Sequence, residues 1–444
     1  MELNVTSISN KTLFILAPLR MNKKTIIPPK IHPIKDIKLP IVRSQRLSNG
    51  LPVHFVLMGT QDVVKVEFFF WAGRPYEKEQ LIARTTAALI KEGTTSLTST
   101  FIDETFDYYG ASLSTSTQTD TSSFSISCLS KQLVHVLPLF MDILVDPAFR
   151  EKDLQAHISR RKHQLIEDLS KNEVVAYRQI TACFFGETHP YGYNSFPDSF
   201  SVIKRKSLVD HHQRCYNAQN GFVLINGKID TQTEGFIHKE LEKIPLGKRQ
   251  NARDLTVKTN VPAKILLTGQ GQMQSAIRMG RRLFGRTHPD ANGVYMLATI
   301  LGGYFGSRLM TNIREEKGYT YSISAAYESL RFDGAFHIDT EVSPEYVEPC
   351  LQEIHLEIER LQNDLVSDKE ITLVRNYLMG SFLSMVDGPF NSAETLRTLW
   401  IEQLDLPAFQ SLIDSVQQMK SAKIRDLAQT YLKKEDLWTI VVGE

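Results

Sequence analysis

A membrane-spanning helix needs roughly 20 consecutive apolar residues, and no run in this chain of 444 residues approaches that length. An excess of either charge is missing too. The 51 Lys and Arg residues balance 50 Asp and Glu, for a formal net charge of +1. That balance leaves no electrostatic case for a nucleic-acid or acidic-membrane partner. Cysteine is scarce: Cys128, Cys183, Cys215 and Cys350 stand far apart with no C-x-x-C pair. Neither a zinc ribbon nor a redox dithiol is indicated, and the four read as buried free thiols in a reducing compartment. No G-x-S-x-G nucleophile elbow occurs. The apolar run at 14–19 is shorter than a secretory signal wants and has only Lys11 as a basic lead. A cytoplasmic location follows from the lack of a signal.

What is present belongs to a globular chain too long for one ordinary core. Residues 1–42 read as an unstructured leader and a Pro-rich extended arm, and Met21 offers a second start. A hairpin is predicted over 46–56 around Asn49-Gly50. Then come a strand at 63–71, helices at 80–91 and 101–109, and Ser/Thr-rich strands at 111–119 and 121–129. Helices at 134–144 and 151–169, a loop at 186–192, a helix at 207–216 and a strand at 221–226 close a first half. Residues 231–262 read as a tail helix and a linker. The same order then recurs. A strand at 274–280 leads to helices at 291–301 and 308–314 and a strand pair at 321–327 and 334–341. Helices at 346–361, 368–382, 406–416 and 421–431 precede a strand at 437–442. Both halves end on a helix followed by a hydrophobic strand. The pattern is a duplicated α+β unit of roughly 200 residues.

One stretch carries recognisable chemistry. Arg314 and Tyr321 stand seven residues apart, after the glycine-rich segment Gly302-Gly303 and Gly306. An Arg fork and a phenol can together hold a peptide carbonyl or a carboxylate. The plainer reading of the same stretch is a charged helix end with a glycine cap.

Five features, in order, resemble the insulinase/pitrilysin family of zinc peptidases, in its two-domain, processing-peptidase-like form. They are Leu47-Ser-Asn-Gly-Leu-Pro-Val53; Gly73-Arg-Pro-Tyr-Glu77 with Glu92-Gly93-Thr94; Tyr109-Gly110-Ala111; His189-Pro190-Tyr191-Gly192; and the run from Leu301 to Tyr321. The resemblance spans about residues 43–444. It implies two tandem homologous α/β-sandwich halves, each a mostly antiparallel sheet with helices packed on one face. The halves are expected at 43–245 and 263–444, with a linker at 246–262.

Active members carry H-x-x-E-H on the first helix, two zinc ligands flanking a general base, and a further Glu on a later long helix. Here that position reads Arg84-Thr85-Thr86-Ala87-Ala88, so the resemblance places neither His nor the base. The downstream carboxylate is expected at Glu167. One carboxylate does not hold zinc. His157 and His163 lie on different helix faces, His211 and His212 diverge, and all four are expected to be scattered or surface histidines.

By the resemblance, Arg314 and Tyr321 match the pair that positions substrate opposite the zinc of a partner, with Gly302 and Gly303 beside it. The chain is therefore expected to bind no zinc and to be inactive alone. Its expected partners are a homologous subunit with intact H-x-x-E-H, which would hold the zinc, and an unfolded peptide substrate. A structural, core-protein-like role and peptide binding without proteolysis stay open beside that reading.

Overall fold

The computed structural model describes residues 34, 36–257, 260–269 and 271–443. The expected leader and the first part of the arm lie outside these residues. The first half is built from β1 (Arg43–Arg46), β2 (Pro52–Leu57), β3 (Val63–Phe70), α1 (Ile82–Leu89), α2 (Ser99–Tyr108), β4 (Ser112–Thr117) and β5 (Ser122–Leu129). It continues through α3 (Leu133–Val145), α4 (Glu151–Asp168), α5 (Asn172–Phe185), α6 (Arg205–Cys215), β6 (Gly221–Gly227) and α7 (Thr231–Leu241). The second half holds β7 (Lys264–Leu267), β8 (Ser275–Leu283), α8 (Ala291–Gly302), β9 (Ile323–Ser329), β10 (Gly334–Val342), α9 (Val347–Asn363) and α10 (Asp368–Met385). It ends with α11 (Gly388–Ile401), α12 (Pro407–Gln418), α13 (Ser421–Tyr431) and β11 (Trp438–Val442). None of the described helices is long and apolar enough to cross a membrane.

The duplication is literal in the sheets. The first runs β1-β2-β6-β3-β5-β4 and the second β7-β11-β8-β10-β9. Apart from the extra edge strand β1, each position in one sheet has its counterpart in the other. Each sheet has one parallel pair, β2 with β6 and β7 with β11, and is otherwise antiparallel. The predicted hairpin joins β1 to β2. Its turn is closed by Leu47 N–H to Leu51 O at 3.0 Å and Gly50 N–H to Leu47 O at 2.8 Å, with Gly50 at φ +80°.

Side-chain alternation decides what covers each face. On β3, Val64, Val66, Phe68 and Phe70 join a core with Phe140, Leu137 and Met141 of α3. Phe69 points the other way, with Val56 of β2 and Phe222 and Leu224 of β6. That second apolar face is closed by α11 of the other half, through Ala393, Leu396 and Ile401. The reciprocal holds. Helix α5 of the first half lays Ala176, Ile180, Phe184 and Phe185 on Ala276, Ala335, Ile440 and Val442 of the second sheet. So each half lends one helix to the far face of the other's sheet, in addition to the helices on the near face.

The sequence reading lacks α5, α11 and β7. Helix α5 is rich in Val, Ile, Thr and Phe, poor helix formers whose run hides the period. Helix α11 opens Gly388-Pro389, which reads as a turn, whereas Pro is well tolerated in a first helical turn. The predicted helix at 308–314 is instead a π-helical turn at Met310–Glu316.

Because the exchange makes each core contain residues of both halves, the chain is expected to unfold as a unit. Leu396→Ala empties a fully buried site in α11 and should cost about 2–5 kcal/mol. Denaturant curves followed by tryptophan fluorescence and by far-ultraviolet dichroism should move together. Separate transitions for the two halves would contradict this.

Candidate functional site

Residues 302–322 form a platform anchored from behind. Helix α8 ends at Gly302, which is buried; a Cβ there would sit 2.3 Å from the Ala325 backbone nitrogen. At Gly303 a Cβ would sit 2.6 Å from Thr299 Cα. These two glycines thus serve the packing of α8 on β9 and the end of the helix, and Gly302 is not offered to a ligand.

After the glycine loop the chain enters the π-helical turn, marked by Lys317 N–H to Asn312 O at 3.0 Å. Such turns insert one extra residue and recur at functional sites. Its inner side is tied down. The buried Asn312 amide donates to Glu353 at 3.0 Å and Glu357 at 2.8 Å, both on α9. Arg308 makes a forked pair with Glu370 of α10 at 2.8 and 2.9 Å. Gly318 turns the chain at φ +68°. The Thr320 hydroxyl, donating to Glu341 O at 2.7 Å, sets the start of β9.

The outer side is left free. Arg314 Nε donates to Tyr321 O at 2.9 Å, and its guanidinium lies 4.5 Å from the Phe305 ring centroid and 5.6 Å from that of Tyr321. Among the described residues, no hydrogen bond engages the terminal nitrogens of Arg314 or the Tyr321 hydroxyl. Tyr321 is 86% exposed and Phe305 61%. The structure therefore brings Arg314 and Tyr321 together and adds Phe305, which the sequence reading missed. Its signal was an aromatic residue inside a glycine-rich loop, with no helical or strand period to bury it.

The second corner lies where the family's metal helix would be. Helix α1 is capped by Glu77, which accepts from Ala83 N–H at 3.1 Å and from the Tyr193 hydroxyl at 2.7 Å. Burial pushes the Glu77 carboxyl up from its ordinary range. Arg84 projects outward, Ala87 is buried, and Ala88 lines a cavity of about 380 Å³ with Thr115 of β4 and with His157, Arg160, Arg161 and Gln164 of α4. The predicted carboxylate, Glu167, is exposed and does not line this cavity; helical periodicity puts Gln164 over Ala88 instead. Burial, then Arg161, Arg160 and Arg84, push the His157 imidazole down to about 4. Burial and the neighbouring Arg74 also lower Arg84. Lys91 and Glu92 complete the lining, and one neutral imidazole and one carboxylate among an amide and several cationic side chains do not fit a zinc ion. Among the described residues, no three His, Cys, Asp or Glu side chains converge elsewhere either.

The surface reading holds for His163 and fails for His157, which is buried on α4, and for His211 and His212. His211 and His212 sit on α6, and their Nε2 atoms lie 3.0 Å from Ala72 O and 2.8 Å from Leu144 O. They tie α6 to the strand–helix layer. The loop at 186–192 is likewise structural: the Tyr191 hydroxyl donates to buried Asp120 at 2.6 Å, and Tyr191 N–H donates to His189 Nδ1 at 3.0 Å. Asp120 also accepts from Arg331 N–H of the second half at 3.4 Å, while the Arg331 guanidinium lies 3.6 Å from the Trp71 ring centroid. A cavity of about 550 Å³ between the two sheets is lined by Arg74, Arg84, Arg331, Arg397, Glu328 and Glu402, among others. Neither Arg314 nor Tyr321 lines either cavity.

Two homologous sheets and an exchanged helix pair define the class, a duplicated peptidase-type scaffold whose first helix carries Arg84, Ala87 and Ala88 where the resemblance expects ligands and base. The family model for insulinase, peptidase family M16, matches residues 59–189, and that for the peptidase M16 inactive domain matches 203–378. The chain belongs to this family. An uncharacterized zinc protease of Mycobacterium bovis is 22% identical over 302 residues, covering 66% of this chain and 68% of that protein. A non-peptidase homolog from Helicobacter pylori is 21% identical over 417 residues, covering 92% and 93%. The crystal structure of a peptidase M16 inactive domain from Pseudomonas fluorescens superposes with a TM-score of 0.83 at 21% identity, covering 90% of this chain and 98% of that one. The missing metal ligands are consistent with a non-catalytic family member.

The correction from Glu167 to Gln164 is testable. Arg84→His, Ala88→His and Gln164→Glu together should give a chain that retains about one zinc after dialysis, read by plasma mass spectrometry. Arg84→His with Ala88→His alone, relying on Glu167, should retain little. Equal retention by the two would refute the placement.

Proposed function

We propose that this chain is the non-catalytic, substrate-binding subunit of a heterodimeric zinc metalloendopeptidase of the cytoplasm. Its partner is a homologous chain with intact H-x-x-E-H, and its substrate an unfolded peptide. One observation carries the reading. The Arg314–Tyr321 platform is braced from behind while, among the described residues, its terminal donors engage no partner, and the corner between α1 and α4 gathers no set of three ligands.

The Arg314 terminal nitrogens and the Tyr321 hydroxyl can donate to a substrate carbonyl or to the oxyanion formed from it. Rigid anchoring through Asn312 and Arg308 keeps these donors in place without reorganisation during the reaction. The platform also precedes β9, an edge strand, so a peptide can add to that edge by main-chain hydrogen bonds with little sequence preference. Zinc in the partner would supply the activated water. A core-protein-like structural role, or peptide binding without hydrolysis, is the alternative that the experiment separates.

Co-expressed with a homologue that carries H-x-x-E-H, the pair should cleave an unstructured peptide, and this chain alone should not. Arg314→Ala should lower turnover of the pair by about 10²–10³-fold, the usual effect of losing an oxyanion donor. Tyr321→Phe should lower it by about tenfold, with the loss of a single hydrogen bond. Gel filtration should show both variants still paired. Full activity in both would remove the role given to the platform.

A further inference from the structure

Arg314 sits on the π-helical turn, so its position depends on what fixes that turn. One carboxylate on α9 grips both ends of it. Glu353 accepts from the Asn312 amide at 3.0 Å through one oxygen, and its other oxygen lies 3.1 Å from Lys317 Nζ. Asn312 and Lys317 are also joined directly, by the Lys317 N–H to Asn312 O bond of the turn. The three groups thus close a ring around the segment that carries Arg314. Donation from Asn312, opposed by desolvation and aided by Lys317, holds the Glu353 carboxyl below its ordinary range, so it is ionised at neutral pH.

The neighbouring carboxylates do less. Glu357 accepts from Asn312 at 2.8 Å, but its other partner is Arg360 on its own helix. Glu370 of α10 holds Arg308, which precedes the turn. Beyond the turn, Tyr319 stacks on Tyr346 just before α9, with ring centroids 4.8 Å apart. The end of α9 nearest Tyr346 therefore carries the chain from Asn312 to Tyr319, and Glu353 is its polar grip. Among the described residues, no hydrogen bond or ion pair joins Glu353 to Arg314 itself.

We infer that Glu353 is a positioning residue for Arg314, clamping both ends of the turn so that the guanidinium is held ready before a ligand arrives. Without the clamp, the turn has to be ordered during binding, and that ordering opposes it. The inference rests on the proposed function for what Arg314 then does, but not for the clamp.

The first measurement needs no partner. Hydrogen–deuterium exchange of residues 312–321 in the isolated chain, read by mass spectrometry, covers the Lys317 and Tyr319 amides, which donate to Asn312 O and Ile313 O. Glu353→Ala should speed their exchange about tenfold or more, as expected for losing a charge-assisted hydrogen bond and its ion pair. Exchange in the strands of both sheets should stay unchanged. Glu353→Gln keeps an acceptor for Asn312 but no charge for Lys317, and should fall between. Lys317→Ala, at an exposed position, opens the same clamp from its other end and should also speed exchange, which keeps the test decisive if Glu353→Ala fails to fold. The second measurement uses the co-expressed pair. Glu353→Ala should lower turnover about tenfold, yet by less than about twofold when Arg314 is already Ala, because residues that act as a unit are not additive. A merely structural role would lower turnover equally in both backgrounds. Unchanged exchange over 312–321, or equal losses in the two backgrounds, overturns the inference. If Arg314→Ala itself leaves turnover untouched, the proposed function fails, and the exchange result alone decides the clamp.

Discussion

The structure depends on covering both faces of two sheets. Every residue of β6 is buried, with Val223 and Ile225 on one face and Phe222 and Leu224 on the other. A half-molecule on its own would expose one apolar face to water, at roughly 25 cal/mol for each Å² left uncovered. The exchange of α5 and α11 removes that exposure from both sheets at once. It also fixes how the halves meet, and so holds Arg331 against Trp71 and Asp120. The inter-sheet cavity and the corner at α1 are shaped by that meeting.

The same requirement explains what could be read without coordinates. Strands with one dominant face, such as β10, and amphipathic helices, such as α9, declare themselves by period. The repeat of whole elements was legible because it rests on order rather than on detail. Helices α5 and α11 were not legible: their partners are far away in sequence, and tertiary burial overrides their weak propensity. The π-helical turn was hidden for a related reason. Its Asn312 and the preceding Arg308 are tied to α9 and α10, long-range contacts that no local signal announces.

At the site, sequence supplied residues and structure supplied their directions. Arg314 and Tyr321 were found by spacing, but their free outer surface and the third member, Phe305, needed coordinates. Gly302 and Gly303, expected beside the pair, pack closely against Ala325 and Thr299. Counting along the chain reached the neighbourhood of Glu167, whereas the helix face selects Gln164. His211 and His212 were expected to be scattered or surface residues, yet each is buried and lies within hydrogen-bond distance of a backbone carbonyl.

The helix exchange has a consequence for how such a chain can change. Two units that trade an element are, in effect, a swapped dimer whose members have been fused by a linker. Fusion keeps them together at any concentration, so neither has to remain a copy of the other. One unit can give up its ligands while the other keeps its aromatic and cationic surface, and the scaffold stays intact. Asymmetry of function is thus available to an architecture that is symmetric in its load-bearing layers, because covalent linkage, rather than identity, maintains the pairing.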